Sequence, residues 1–436
     1  MLLNARRAFS PHPRQPCSRP LNSGRMTRTE KLLADLIALP SVNPAFAEPG
    51  AASARRARLS RFGEKNVADF LATVAARAGL EVEFQPVFGV RGPVRAFDST
   101  RHVTSSESGD MSPHSKMERS NLIARLRPRS KVRQTILLAP HLDTVSADDS
   151  QFIPRRKGGR LHGRGACDTK GSAAAMLTAL GELAESKSRP QETEIVFTGL
   201  VDEEHAQAGS RALAASGWRA DLAIVGEPTR LQLVTAHKGS LWVQLETHGK
   251  AAHGATPQFG RNAVHKMVRI VDVLETDYAA RLRKYRHPLL GTATVNVGTI
   301  CGGAQPNIVP DRCAITIDRR TLPGETDLRV RREIAAFLSS KKMHATTSSI
   351  KLAPALPLET NPKLPLIRQF LRCLGQTRPM GVDFFCDAAV LSASGIPSVV
   401  FGPGDIAQAH TADEWISLAS LERGKDLLLK FLKSLP

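Results

Sequence analysis

The 436-residue chain has no run of 18 apolar residues, so no part of it reads as a membrane-spanning helix. Its six cysteines, at positions 17, 167, 301, 313, 373 and 386, contain no CxxC pair. A zinc ribbon and a disulfide scaffold are thereby excluded, and a reducing compartment, the cytoplasm, is expected. Acidic residues are missing from residues 1–25, which hold five Arg with Pro and Ser but lack the apolar core of a secretory signal. This stretch reads as a disordered leader, an upstream start with the working one at Met26, or an organellar transit peptide. The net charge of +19 on its face suggests nucleic acid. The excess is uneven: residues 1–133 carry +12 of it, in stretches that look peripheral. Salt-dependent adhesion to polyanions follows from that, but specific nucleic-acid recognition does not.

What is present is globular material. Hydrophobic residues are 42% and charged residues 23%, which excludes wholesale disorder. Residues 29–39 carry apolar side chains at helical spacing up to Pro40, a second helix covers about 64–78, and a strand follows at 80–84. Residues 88–119 have no periodicity and read as a disordered insertion. Beyond Ser120, short apolar runs at 135–138, 194–200 and 222–225 alternate with helical stretches at 172–184 and 208–216. That alternation implies an α/β fold, a mostly parallel, doubly wound sheet with its chemistry at the carboxyl ends of the strands. From about Leu231 the pattern changes to alternating strands at 239–247, 292–299 and 313–317, with helices at 262–274 and 327–339. The parallel pattern resumes with a helix near Pro365–Leu374 and a buried strand at 398–401. The expected organisation is a leader (1–25) and a catalytic domain in two parts (26–230 and 344–436), interrupted by a smaller α+β domain (231–343).

Ligand-type side chains recur where the strands end. His141-Leu142-Asp143 follows the first run, and Asp168 lies in the loop before the 172–184 helix. Asp202-Glu203-Glu204 follows the second run, Glu227 the third, and His410 lies beyond the last strand. Singly, each has a plain explanation: a loop histidine, a solvated Glu pair, a tight GxG turn. Five such placements in succession are hard to obtain by chance. Neutral imidazoles and carboxylates are the ligands of a borderline metal such as zinc. Two metals that share a carboxylate can activate one water between them.

The runs PHLDTV (140–145), GRGACDTKGS (163–172), DEEHAQAGS (202–210), GEPT (226–229), GKAAHGATPQFGRNAV (249–264) and GPGDIAQAH (402–410) carry a specific likeness. From Met26 to Pro436, apart from 88–119, the chain resembles the M20-type dinuclear zinc metallohydrolases, the aminoacylase/carboxypeptidase family. GEPT and GPGDIAQAH lean toward its acetylornithine deacetylase branch. The resemblance implies two zinc ions, with cobalt able to substitute. Asp168 would bridge them, His141 and Glu227 would complete one site, and Glu204 and His410 the other. Asp143 would fix the tautomer of His141, and Glu203 would be the general base.

By the same resemblance the smaller domain is a lid and dimerisation domain. His253 would donate to the developing oxyanion in the active site of the partner subunit. Asn307 and Arg320 would hold the substrate's carboxylate, with Arg320 preferred to its neighbour Arg319 because Leu-Pro-Gly follows. The implied function is removal of an acyl group from an N-acyl amino acid, most closely like acetylornithine deacetylase. The alternatives are succinyl-diaminopimelate desuccinylase and an M20 carboxypeptidase or dipeptidase. Small-molecule substrates and a homodimer are expected, with no specific nucleic acid and no membrane. Asp202 reads as structural, His205 as exposed or supporting, His162 and His237 as without a role, and Cys167 as a small buried residue. Asp387 reads as a pocket-lining candidate.

Overall fold

The computed structural model describes residues 26–46, 62–88, 119–350 and 355–436. The leader and residues 89–118 of the non-periodic segment lie outside them. The first described helix, Arg28–Ile37, starts where the Thr27 hydroxyl accepts the Glu30 N–H at 3.0 Å. Its Leu32, Leu33, Leu36 and Ile37 form one buried stripe.

Among the described residues, nine strands make the large sheet. Its middle runs Thr193–Gly199, Gln134–Ala139, Leu222–Val225, Ser398–Val400, and these four are parallel. On one margin Arg119–Leu126 and then Glu81–Val87 are antiparallel. On the other, Val234–His237 is antiparallel to Ser398–Val400, with Leu358–Glu359 antiparallel and Met380–Val382 parallel to it. The parallel expectation therefore holds for the centre and gives way at the margins, a common pattern in large sheets.

Alternation along each central strand feeds two cores. Ile136 and Leu138 join the Ala-rich helix Lys170–Ala184, which is itself covered by the C-terminal helix Leu418–Lys433. Leu137 and Ala139 face the other way, toward Leu213 of Ala208–Ala215 and Leu391 of Ala388–Ala393. In the first core Phe370 stacks on Phe431 with ring centroids 4.4 Å apart and meets Phe401 edge-on at 5.1 Å.

A second sheet of four antiparallel strands runs Thr294–Gly302, Arg312–Thr321, Gly239–His248, Thr346–Ser349. Met267 and Ile270 of Ala263–Val273, and Val330 and Ile334 of Asp327–Ser340, pack on its Val243, Leu245, Ile315 and Ile317. The first of these helices continues through a π turn at Leu274–Tyr278.

His237 stands at the junction of the two sheets. Its Nδ1–H donates to the Lys238 carbonyl at 2.9 Å, and its buried Nε2 has no hydrogen-bond partner among the described residues. Burial pushes its pKa down to about 4, whereas the unfolded imidazole titrates at about 6.5. Between those values the unfolded chain binds more protons, so this residue costs stability as pH falls from 6.5 toward 4. His237→Leu is expected to lose less stability over that interval than the wild type, by on the order of 2 kcal/mol. Urea unfolding at pH 7 and pH 4.5 measures this, and an identical acid slope in the two proteins would refute it.

Candidate active site

The loops beyond the central strands converge on one cluster. His141 Nε2 lies 2.9 Å from Asp168 Oδ1 and 3.9 Å from Glu227 Oε1. His410 Nε2 lies 3.3 Å from Asp168 Oδ2 and 3.1 Å from Glu204 Oε2. Asp168 thus turns one oxygen toward each imidazole. His141, Asp168 and Glu204 each offer a ligand atom, all within 4.8 Å of one another. The five expected ligands, drawn from widely separated loops, are together.

Electrostatics show what such a group suits. Burial pushes the carboxyls of Glu227 and Glu204 up, and neighbouring carboxylates add to the effect. Burial works against the charge on Asp168 too, but hydrogen bonds from His141 and His410 outweigh it and hold that carboxyl below the usual range. Hydrogen bonds to Asp168 and Glu204 raise His410 to about 10. His141 also rises, because its contacts with Asp143 and Asp168 overcome burial. Buried carboxylates facing imidazoles call for cations, and these lone pairs are the ones a borderline divalent metal takes. The residues fit that group.

The Asp168 loop is pinned by a residue that sequence reasoning overlooked. The buried Glu414 carboxylate accepts the N–H groups of Gly165 at 2.9 Å, Cys167 at 2.8 Å and Asp168 at 3.0 Å, and Arg164 Nη1 at 2.8 Å. Gly171 lets the following helix start close beneath this loop, since a Cβ there would stand 2.5 Å from the Ala166 carbonyl oxygen. The Cys167 thiol points at the Asp405 carbonyl, 3.3 Å away, and burial pushes its pKa up, so it is a packed and unreactive residue.

The contacts of Asp143 extend well beyond His141. Its carboxylate accepts the N–H groups of Glu203 and Glu204, both at 3.1 Å, and Asn43 Nδ2 at 2.7 Å. His141 Nδ1 is nearer the Asp143 carbonyl oxygen, at 3.0 Å, than the carboxylate, at 3.5 Å. Asn43 was invisible in sequence: nothing about a lone Asn in SVNP marks it. Glu203 is 9% exposed. Burial, then the charges of Glu227, Asp387 and Glu204, push its carboxyl well above the ordinary value against the opposing pull of His141. Asp387 is buried, accepts the Ser210 hydroxyl at 2.5 Å, and is raised by burial to about 7.

His253, Asn307 and Arg320 lie with the smaller sheet. His253 bridges to Ile308, and the Gly254 N–H donates to the Asn307 carbonyl at 2.7 Å, so His253 and Asn307 are neighbours. Among the described residues, no hydrogen bond joins either to the ligand cluster. Arg320 pairs with Asp318 at 3.0 Å and sits 5.9 Å above the Phe385 ring, beside the loop that carries Asp387. Arg319 is fully buried and held by Glu325 at 2.6 Å, which leaves Arg320 as the accessible member of the pair.

Comparison with known proteins identifies the family and the fold. Residues 137–434 match the model of Peptidase family M20/M25/M40. An acetylornithine deacetylase of Myxococcus xanthus is 32% identical over 326 residues, spanning 72% of this chain and 83% of that protein. The solved structure of aminopeptidase PepT from Bacillus cereus superposes with a TM-score of 0.68 at 21% identity, covering 93% of this chain and 97% of that one. A dinuclear metal-binding peptidase of the M20 family from Bacillus subtilis gives a TM-score of 0.61 at 12% identity, with coverages of 93% and 97%. The chain belongs to peptidase family M20/M25/M40, a metal-dependent family of hydrolases acting on amide bonds.

Proposed function

We propose that the protein is a dinuclear zinc amidohydrolase that removes the acyl group from an N-acyl amino acid, with N-acetylornithine as its substrate. The observation that carries this reading is Asp168, one oxygen toward His141 and the other toward His410. The Myxococcus relative supports the choice of substrate. His141 and Glu227 would hold one ion, Glu204 and His410 the other, with Asp168 shared and cobalt an acceptable substitute. When bound, the ions polarise the scissile carbonyl and lower the pKa of the attacking water.

The chain's own residues do the rest. Glu203 takes a proton from the water and delivers it to the leaving nitrogen, while Asp143 holds the backbone beneath it. His253 Nδ1 accepts the Ala255 N–H at 3.1 Å, which leaves the proton on Nε2. That N–H is the donor for the developing oxyanion, supplied to a partner subunit across a homodimer formed by the smaller unit. This unit, whose four-stranded sheet runs from Gly239 to Ser349, acts as a lid on the domain built around the large sheet, which keeps Val234–His237. Asn307 and Arg320 receive the substrate carboxylate, Arg320 through its planar fork. The cytoplasm is the proposed location.

Metal content by mass spectrometry, paired with hydrolysis of N-acetylornithine, tests the reading. The expected result is two zinc ions per chain and turnover that chelation removes and added zinc or cobalt restores. Turnover of dipeptides alone would move the protein to the peptidase side of the family. A chain that retains no metal even after zinc is added would overturn the proposal.

A further inference from the structure

Behind Glu203 lies a set of charges that the proposed reaction does not touch. Asp202, the residue just before it, is buried and has a left-handed backbone with φ of 68°. Its N–H donates to Glu64 Oε1 at 3.1 Å. Its carboxylate accepts Arg119 Nη1 at 2.7 Å, Asn43 Nδ2 at 3.0 Å and the Ala208 N–H at 3.3 Å. Arg119 closes the circuit, giving Nε to Glu64 Oε2 at 3.0 Å and Nη2 to Glu64 Oε1. Asn43 links the circuit to Asp143, and so to the N–H groups of Glu203 and Glu204.

We propose that Arg119 is a positioning residue for the hydrolysis: by clamping Asp202 and Glu64 it fixes the left-handed turn from which Glu203 and Glu204 project. The inference rests on the reading of Glu203 as general base. A non-glycine residue keeps a left-handed conformation at a functional site only when its surroundings hold it there. Here they hold it by both ends, the N–H on Glu64 and the side chain on Arg119. Glu64 and Asp202 are both buried carboxylates, so the guanidinium is also the charge that lets them sit side by side. The planar fork matters, because one edge serves Glu64 while Nη1 reaches Asp202. A lysine ammonium is a point charge and cannot span both. Without the clamp the two carboxylates repel, the turn relaxes, and the Glu203 carboxyl leaves its place beside the ligand cluster.

Arg119→Ala and Arg119→Lys in the full-length, metal-loaded protein test this. The expected result is a fall in kcat on N-acetylornithine of about 10²-fold with KM within about threefold of wild type and metal content unchanged. Methylguanidinium should restore the Ala variant at least tenfold, by filling the vacated place, and should not restore the Lys variant. Amide hydrogen exchange on the metal-free proteins gives a readout independent of turnover: residues 200–209 should exchange faster in both variants, with the central strands unchanged. An unchanged kcat, or a slowed variant with neither rescue nor faster local exchange, would overturn the inference. Glu203→Gln separates it from the reading beneath it. If that variant stays active, the base assignment fails on its own. If it is inactive while Arg119→Ala is normal in rate and exchange, the positioning role fails alone.

Discussion

Glu203→Gln is expected to lower turnover by about 10⁴-fold while both metal sites still fill. The substitution keeps shape and burial and removes only the ability to take up and release a proton. The backbone of residue 203 stays in place, because its N–H is held by Asp143 at 3.1 Å and not by its own side chain. None of the ion pairs that define the ligand cluster uses the Glu203 carboxyl. Turnover and metal occupancy should therefore separate cleanly, and single-turnover rates measured beside metal content will show whether they do. A variant with a tenth of wild-type activity would remove the general base from Glu203.

Glu414→Ala is expected to cost about 3–5 kcal/mol of stability and to weaken metal binding. The stability loss is that of a buried ion pair broken from one side, since Arg164 is left buried beside the vacated carboxylate. Three backbone N–H groups of the Asp168 loop lose their acceptor at the same time. Because that loop presents Asp168, the proposed shared ligand, metal affinity should drop by about 10–100-fold, the usual effect of removing a residue that supports a ligand. Glu414→Gln, which retains an oxygen for the N–H groups, should fall between. Urea unfolding of the metal-free protein and competition against a chelator measure the two effects separately. An unfolding midpoint unchanged by Glu414→Ala would refute the account.

The elements most legible in sequence were those whose signal is local. The alternating core of the second sheet, the helices Asp327–Ser340 and Pro365–Leu374, and the ligand-type residues at strand ends all announce themselves within a short window. What stayed hidden depends on partners far along the chain. Arg119 and Asp202 are 83 residues apart, and Glu414 meets the Asp168 N–H across 246 residues. No spacing rule brings such pairs together. The strand Arg119–Leu126 was missed because it borders the non-periodic segment, and Val234–His237 looked like the start of the smaller unit although its hydrogen bonds place it in the larger sheet. The amphipathic helix Leu418–Lys433 went unassigned, yet its apolar side packs on Lys170–Ala184.

Ser398–Val400 lies between Leu222–Val225 and Val234–His237, two strands close in sequence that leave a slot for a third made much later. During synthesis that slot stays open until residue 400 has been added. A nascent chain ending at residue 395 already contains His141, Asp168, Glu204 and Glu227, but it has neither the second imidazole nor the carboxylate that folds the Asp168 loop. Such long-range closure is slow and falls at the end of assembly. On the proposed reading, ion capture has to wait until His410 and Glu414 have been added, and products that stop short of them lack both.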